Sequence, residues 1–435
     1  MQAIKDLKKV LIITYYWPPA GGPGVQRWLK FAKYLPSFGY QPVIYTPENA
    51  NYPILDKQLI DEVSEHCIIV KTPIREPYRL ANLLGAKKAK TMSSGIIKLS
   101  RKQNFAEKLM LWIRGNFFIP DARVGWVKPS VNFLVNYVQK HNIDTVITTG
   151  PPHSMHLIGM KLQELCNLHW IADFRDPWTT IGYHKELKLT AFAIKKHLEL
   201  ERTVLNKADQ IIVTSKTTKS DFQKITQKPI KVITNGYDVE YVGKVELDDA
   251  FTISHIGSFL SNRNPRVFWK ALAELRKENK AFKAAFQLKL VGRVSNEILD
   301  AIREFDLDSC TINVGYVDHK QALIEQRKAQ VLLLIEIDSE ETRAIIPGKL
   351  FEYMAAERPI LAIGPEQADF FEIIKETNTG KVALYDQKEE IKEILLNFFK
   401  SYQEGTLKVY GMGLQYYSRK KLTESLAKLL ETKNV

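Results

Sequence analysis

Short unbroken apolar runs recur along the chain, and each is followed by a break and then, in most cases, by a stretch with helical spacing. In the first half the runs cover residues 10–14 (VLIIT), 41–46 (QPVIYT), 143–148 (IDTVIT), 169–174 (HWIADF), 210–214 (QIIVT) and 231–234 (KVIT). In the second half they cover 252–256, 286–291 (FQLKLV), 312–314, 331–335 (VLLLI), 360–363 and 382–384. Continuous apolar runs, unlike an apolar–polar alternation, mark strands buried on both faces, as in parallel sheets covered by helices. Amphipathic stretches at 25–35, 155–165, 193–207, from near Pro265, 349–356 and 417–430 supply helices. Strand–helix alternation that restarts midway predicts an α/β chain of two doubly wound, Rossmann-like domains with parallel sheets. They are expected to face a cleft lined by strand C-terminal ends.

The breaks carry the candidate chemistry. After the first strand, YYWPPAGGPG sets Gly21, Gly22 and Gly24 ahead of a helix, so backbone can approach a ligand closely. The spacing is neither G-x-G-x-x-G nor a loop ending in GK[ST], so a plain tight turn fits equally well. Strand 143–148 runs into TGPPHSMH, which puts His153 and His156 at a strand's C-terminal end. Two histidines without a further ligand cluster do not make a metal site, and none is expected. Strand 169–174 opens into DFRDPW, with Asp173, Arg175 and Asp176 at or just past its end. Two carboxylates and a guanidinium there either form a local bridge or serve a ligand.

In the second half, Gly257 and Ser258 turn the chain after strand 252–256, and Arg263 lies just before a helix N-terminus, a place that suits a diphosphate. Strand 331–335 is followed by Pro347-Gly348 and the helix KLFEYMAA. Free amides at its start favour an anion. Lys349 and Glu352 share one face of it, able to hold a phosphate and a sugar hydroxyl pair, or to be no more than a surface Lys–Glu pair.

Composition narrows the partners. The 435 residues carry a formal charge of +13, which calls for an anionic partner. Basic residues crowd between Lys71 and Arg114, against only Glu76 and Glu107, and are interleaved with apolar residues such as Leu83, Ile96, Leu109 and Trp112. That mixture suits peripheral contact with anionic lipid headgroups, or a solvated loop and helix. No nucleic-acid reader motif is present, so nucleic acid is not an expected partner. Cys67, Cys166 and Cys310 are isolated, as in a reducing compartment. With no apolar run long enough for a signal peptide or a membrane span, a cytoplasmic protein is expected, associated with the membrane at its inner face.

The wording PGKLFEYMAAERPI, together with TGPPHSMH, IADFRDPW and VITNGYD, resembles GT-B glycosyltransferases of the large retaining family 4, in its bacterial cell-surface polysaccharide type. The resemblance implies a retaining glycosyltransferase of the hexosyltransferase kind. It would move a sugar from a nucleoside-diphosphate-sugar to a glycan or lipid-linked acceptor, with no cofactor and no metal. It implies an acceptor-binding domain over 1–240, a nucleotide-sugar domain over 250–405, and a C-terminal stretch, 406–435, that crosses back as a helix. Donor-binding residues would be Gly22 and Gly24 under the diphosphate, Gly257, Arg263, Gly348 and Lys349 around it, Glu352 on the ribose, and Gly315, Tyr316 and Val317 at the base. Arg175 and Asp176, with Asp173 and His153, would meet the acceptor and the transferring sugar. Many members carry a second Glu, near that sugar, seven residues ahead of the one matching Glu352, where this chain has Ile345. That departure leaves an alternative open, a non-catalytic GT-B-like subunit that binds nucleotide-sugar or acts as a scaffold.

Overall fold

The computed structural model describes residues 7–76, 105–180, 187–238 and 243–432. Much of the basic stretch between Lys71 and Arg114, residues 77–104, lies outside the described residues. Two compact units divide the chain: Met1–Thr234 with Arg419–Val435, and Asn235–Ser418.

The first unit holds β1 (Lys8–Ile13), α1 (Pro23–Tyr34), β2 (Tyr40–Pro47), β3 (Ile68–Thr72), α2 (Phe105–Phe117), α3 (Val127–Lys140), β4 (Thr145–Gly150), α4 (Ser154–Cys166), β5 (His169–Phe174), α5 (Ala191–Lys207), β6 (Gln210–Val213), α6 (Lys216–Gln223) and β7 (Ile230–Val232). Its strands form one parallel sheet in the order β3-β2-β1-β4-β5-β6-β7. The continuous apolar runs are buried on both faces, as their pattern predicts. Leu11, Ile13, Val146, Trp170, Ala172, Ile211 and Val213 point into one core with α3, α4, α5 and α6. The residues between them, Val10, Ile12, Ile147, Ile171 and Ile212, point into the other with α1 and the chain's last helix. β3 is an addition to the expected strands. Its side chains alternate between exposed and partly buried, so IIVKT at the sheet edge carries no unbroken apolar signal.

The second unit repeats the plan: β8 (Phe251–Ile256), α7 (Arg266–Glu278), α8 (Lys280–Ala285), β9 (Phe286–Val291), α9 (Asn296–Glu304), β10 (Thr311–Gly315), α10 (His319–Lys328), β11 (Val331–Ile335), α11 (Gly348–Ala355), β12 (Ile360–Gly364), α12 (Asp369–Thr377), β13 (Gly380–Leu384) and α13 (Lys388–Gln403). The sheet order is β10-β9-β8-β11-β12-β13, parallel throughout. Leu333, Ile335, Leu361 and Ile363 face one core, and Leu332, Leu334, Ile360 and Ala362 the other. The last helix, α14 (Arg419–Glu431), packs Leu422, Leu426, Ala427 and Leu430 into the α1 side of the first unit.

In both sheets the first strand of the unit, β1 or β8, is where the strand order reverses, beside β4 or β11. Ligands of open α/β sheets bind outside the strand ends at such a reversal.

Candidate active site

In the second unit the reversal point gathers charge. β8 is followed by Gly257, whose φ of +119° disfavours any side chain. A Cβ there would also lie 2.9 Å from Lys349 Nζ. Gly292, past the end of β9, packs so closely that its Cβ would sit 2.5 Å from the Gly257 carbonyl oxygen. These two glycines let backbone and the Lys349 ammonium share one small space.

Lys349 stands in the first turn of α11, after Pro347, and no side chain caps that helix start. Its Nζ lies 3.2 Å from His255 Nε2. His255 Nδ1 lies 3.1 Å from the Leu333 carbonyl oxygen, which can only accept, so Nδ1 carries the proton and Nε2 accepts from Lys349. Burial, and then the Lys349 charge, hold the His255 value well below the usual histidine range, so the ring is neutral. Burial, and then the Arg263 charge, lower Lys349 to about 8.

Arg263 comes from the short turn Ser261–Arg263 that leads toward α7. It donates to Glu336 Oε1 from Nε at 3.1 Å and Nη2 at 2.8 Å. Glu336, 1% exposed, is the first residue past β11 and also accepts from the Ile337 amide at 2.8 Å. α11 is pinned to β8 by Tyr353, whose hydroxyl accepts from Ile256 N at 2.9 Å and donates to Ile256 O at 3.1 Å. One turn along from Lys349, Glu352 accepts from Gln326 Nε2 at 3.0 Å. Gly315, at φ +78°, closes β10, and Tyr316 beside it is 88% exposed. Gly257, Arg263, Gly348, Lys349 and Glu352 therefore lie on neighbouring strand ends of one sheet. His255, Glu336 and Gln326 stand outside the motifs legible in the sequence. The signals were there for two of them: a histidine inside an apolar strand, and an acid directly after VLLLI.

The first unit has its own cluster at the ends of β4 and β5. Asp173 is fully buried, and its carboxylate accepts from Arg27 Nη2 at 2.8 Å, Arg27 Nε at 3.3 Å, Trp28 Nε1 at 2.9 Å and Thr149 Oγ1 at 2.8 Å. Burial alone would raise this carboxyl; the Arg27 charge and the donated hydrogen bonds outweigh it and hold the value below the ordinary one. Arg27 also donates to the carbonyls of Ile233 and Thr234, at 2.8 and 2.9 Å, so it ties α1 to the chain leaving β7. The Asp–Arg bridge of this unit thus joins Asp173 to α1 rather than to Arg175.

Arg175 packs its guanidinium on the α1 start, where a Cβ at Gly24 would lie 2.0 Å from Nη1. It donates from Nη2 to the Pro151 carbonyl. Gly22, at φ +100°, caps α1 without a side-chain hydrogen bond. Asp176 hydrogen-bonds to no described residue, and burial raises its carboxyl against the pull of Arg175. His153 stacks flat on Trp178, ring centroids 4.7 Å apart and 4° from parallel. Trp170 Nε1 donates to Thr148 Oγ1 at 2.8 Å, and that hydroxyl lies 2.9 Å from His156 Nδ1. Burial drives His156 down to about 3. His156 is a neutral core histidine. Among the described residues no group of three or more His, Cys, Asp or Glu is placed to hold a metal.

Residues 250–400 match the family described as Glycosyl transferases group 1. Residues 97–241 match Glycosyltransferase Family 4. The chain is a family 4-like glycosyltransferase. Solved structures agree on the architecture. A sucrose-phosphate synthase from Thermosynechococcus elongatus superposes with a TM-score of 0.59 at 14% identity, covering 98% of this chain and 97% of that one. HepE from Anabaena, crystallised with UDP and glucose, gives 0.59 at 12% identity, over 98% and 100%. WaaG, a glycosyltransferase of lipopolysaccharide biosynthesis, gives 0.53 at 13% identity, over 98% and 100%. At such identities the likeness establishes the fold, GT-B, of which this transferase has both parallel sheets. A search of curated protein sequences gave no match.

Proposed function

We propose that this transferase moves a sugar, with retained anomeric configuration, from a nucleoside-diphosphate-sugar to a glycan or lipid-linked acceptor in cell-surface polysaccharide synthesis. The observation that carries the reading is the pair of cations at one strand-end cluster, Lys349 held by neutral His255 and Arg263 braced by Glu336. The bond that breaks joins the sugar's anomeric carbon to a phosphate oxygen, and negative charge grows on the departing diphosphate. Fixed positive groups and helix-start amides stabilise that charge more in the transition state than in the ground state. Lys349, Arg263 and the uncapped start of α11 at Gly348 are such groups. They supply the countercharge from side chains, so the reaction runs without a metal or other cofactor.

Glu352, steadied by Gln326, takes the ribose hydroxyls, and Gly315, Tyr316 and Val317 line the base. The solved structures with bound UDP, UDP-glucose or UDP-2-fluoro glucose make a UDP-sugar the first donor to try. The acceptor hydroxyl attacks the anomeric carbon from the face the diphosphate leaves and passes its proton to the departing phosphate oxygen. Arg175 and Asp176 orient the acceptor, His153 lies beside them, and Asp173 positions α1. The enzyme works in the cytoplasm at the inner membrane face, where a lipid-linked acceptor and anionic headgroups would meet its positive charge.

Retention is checked by proton NMR of the product formed from an α-linked donor in the presence of EDTA. An α-linked product at the untreated rate agrees with the proposal. A β-linked product, or loss of activity with EDTA that added metal restores, contradicts it.

The Lys349 value gives donor binding a pH signature. Meeting a diphosphate holds the ammonium charged, so its pKa rises on binding. Below about pH 8 Lys349 is already charged in the free enzyme and adds no pH dependence of its own. Above that, binding must take up a proton, and affinity for the nucleoside diphosphate falls by about tenfold per pH unit. Calorimetry across this range would show the break, and Lys349→Arg, which stays charged, would remove it.

A further inference from the structure

We propose that α2 and the first half of α5 form the surface that seats this enzyme on an anionic bilayer. Trp112 (37%), Ile113 (38%) and Phe117 (69%) are exposed on α2, and Phe192 (74%), Ile194 (46%) and Leu198 (51%) on α5. Scattered exposed apolar side chains are ordinary, but a contiguous group on packed elements is not.

Two observations join the two helices. Asn116 accepts from Thr190 N at 2.7 Å and donates to Lys188 O at 3.3 Å, which clamps the entry of α5 to the last turn of α2. Gly115 is close-packed, since a Cβ there would lie 2.7 Å from Leu189 Cδ2. The entry of α5 is thus held against the last turn of α2, and apolar side chains of both helices are left exposed.

Charge identifies the occupant. Lys188, Lys195 and Lys196 are exposed among these apolar side chains, with Glu199 as the neighbouring acid. The whole chain carries +13. Apolar side chains flanked by lysines fit the headgroup boundary of an anionic membrane, where the rings enter the interface and the ammonium groups meet phosphate. A second copy of the chain across a two-fold axis would bring the same lysines against one another. No described helix is long and apolar enough to cross a membrane, so the contact is lateral. The purpose of the surface, bringing a lipid-linked acceptor within reach, rests on the function proposed above; its geometry does not.

The test is vesicle flotation of the full chain with phosphatidylglycerol–phosphatidylcholine or pure phosphatidylcholine vesicles. Turnover of nucleotide-sugar in solution is measured on the same samples. Wild type is expected to float with the anionic vesicles and to be released by salt. Trp112→Ser/Phe192→Ser and Lys195→Glu/Lys196→Glu should each lower the bound fraction roughly tenfold or more. Tyr410→Ser, at a 76% exposed aromatic in the second unit, should float as wild type does. Wild type that does not float, variants that float unchanged, or a serine variant that instead converts a dimer to a monomer on sizing would each overturn the proposal. Turnover without flotation would sink the docking surface and spare the enzymatic reading; flotation without turnover would do the reverse.

Discussion

Arg263→Ala is expected to lower kcat/KM for the nucleotide-sugar by roughly 10²–10³-fold, the usual consequence of removing one fixed group that stabilises developing charge. The guanidinium is held by two hydrogen bonds to Glu336. It is therefore in place before the substrate arrives and pays little ordering entropy at the transition state. Its removal also leaves the buried Glu336 carboxylate unpaired near the position of the leaving diphosphate, which adds repulsion to the lost attraction. Charge on that diphosphate grows as the bond breaks, so kcat should fall more than KM rises. Glu336→Ala keeps the cation but frees it to swing. It should cost less, about tenfold, because positioning and not charge is lost. Steady-state kinetics on both variants check the ordering. An Arg263→Ala enzyme within about threefold of wild type would show that the guanidinium does not meet the leaving group.

Asp173→Ala is expected to destabilise the first unit by about 3–5 kcal/mol, the cost of breaking a buried ion pair from one side. Asp173 is 0% and Arg27 3% exposed, and the carboxylate is also the acceptor for Trp28 Nε1 and Thr149 Oγ1. The truncation strands a buried guanidinium and two other donors at once. Chemical denaturation followed by circular dichroism measures the loss. The same carboxylate gives a pH dependence of definite sign. Its value is lowered in the folded protein, so its contribution is fully present above the ordinary Asp value. That contribution is lost as pH falls through the lowered value. The variant should therefore lose part of the wild type's sensitivity to acid.

The strands were legible because parallel sheets covered on both faces demand unbroken apolar runs. HWIADF and VLLLI coincide with β5 and β11, and VLIIT falls on β1 with shifts of one or two residues at its ends. β3 was not legible, because an edge strand half open to solvent need not be apolar throughout. α3, α9, α10, α12 and α13 went unassigned beside the stronger strand signals, although each has an apolar side in the folded unit. At the site, residue types at strand ends were readable and their partners were not. Arg27 lies 146 residues from Asp173, and Arg263 73 from Glu336. Local spacing allowed Arg175 as a partner of its neighbouring carboxylates, but the guanidinium that reaches Asp173 comes from a helix packed over the sheet. His255 interrupts an apolar strand, and only the fold shows it beside Lys349.

The most direct measurement is nucleoside diphosphate release by the purified enzyme from UDP-, GDP-, ADP- and dTDP-sugars, with and without a lipid extract as acceptor. Wild type would be run beside Arg263→Ala and Glu352→Ala. Release from at least one donor by wild type, and its loss in both variants, is the expected result. Release that survives both substitutions, or no binding of any nucleotide-sugar by wild type, would contradict the assignment of donor chemistry to the strand-end cluster of the second unit.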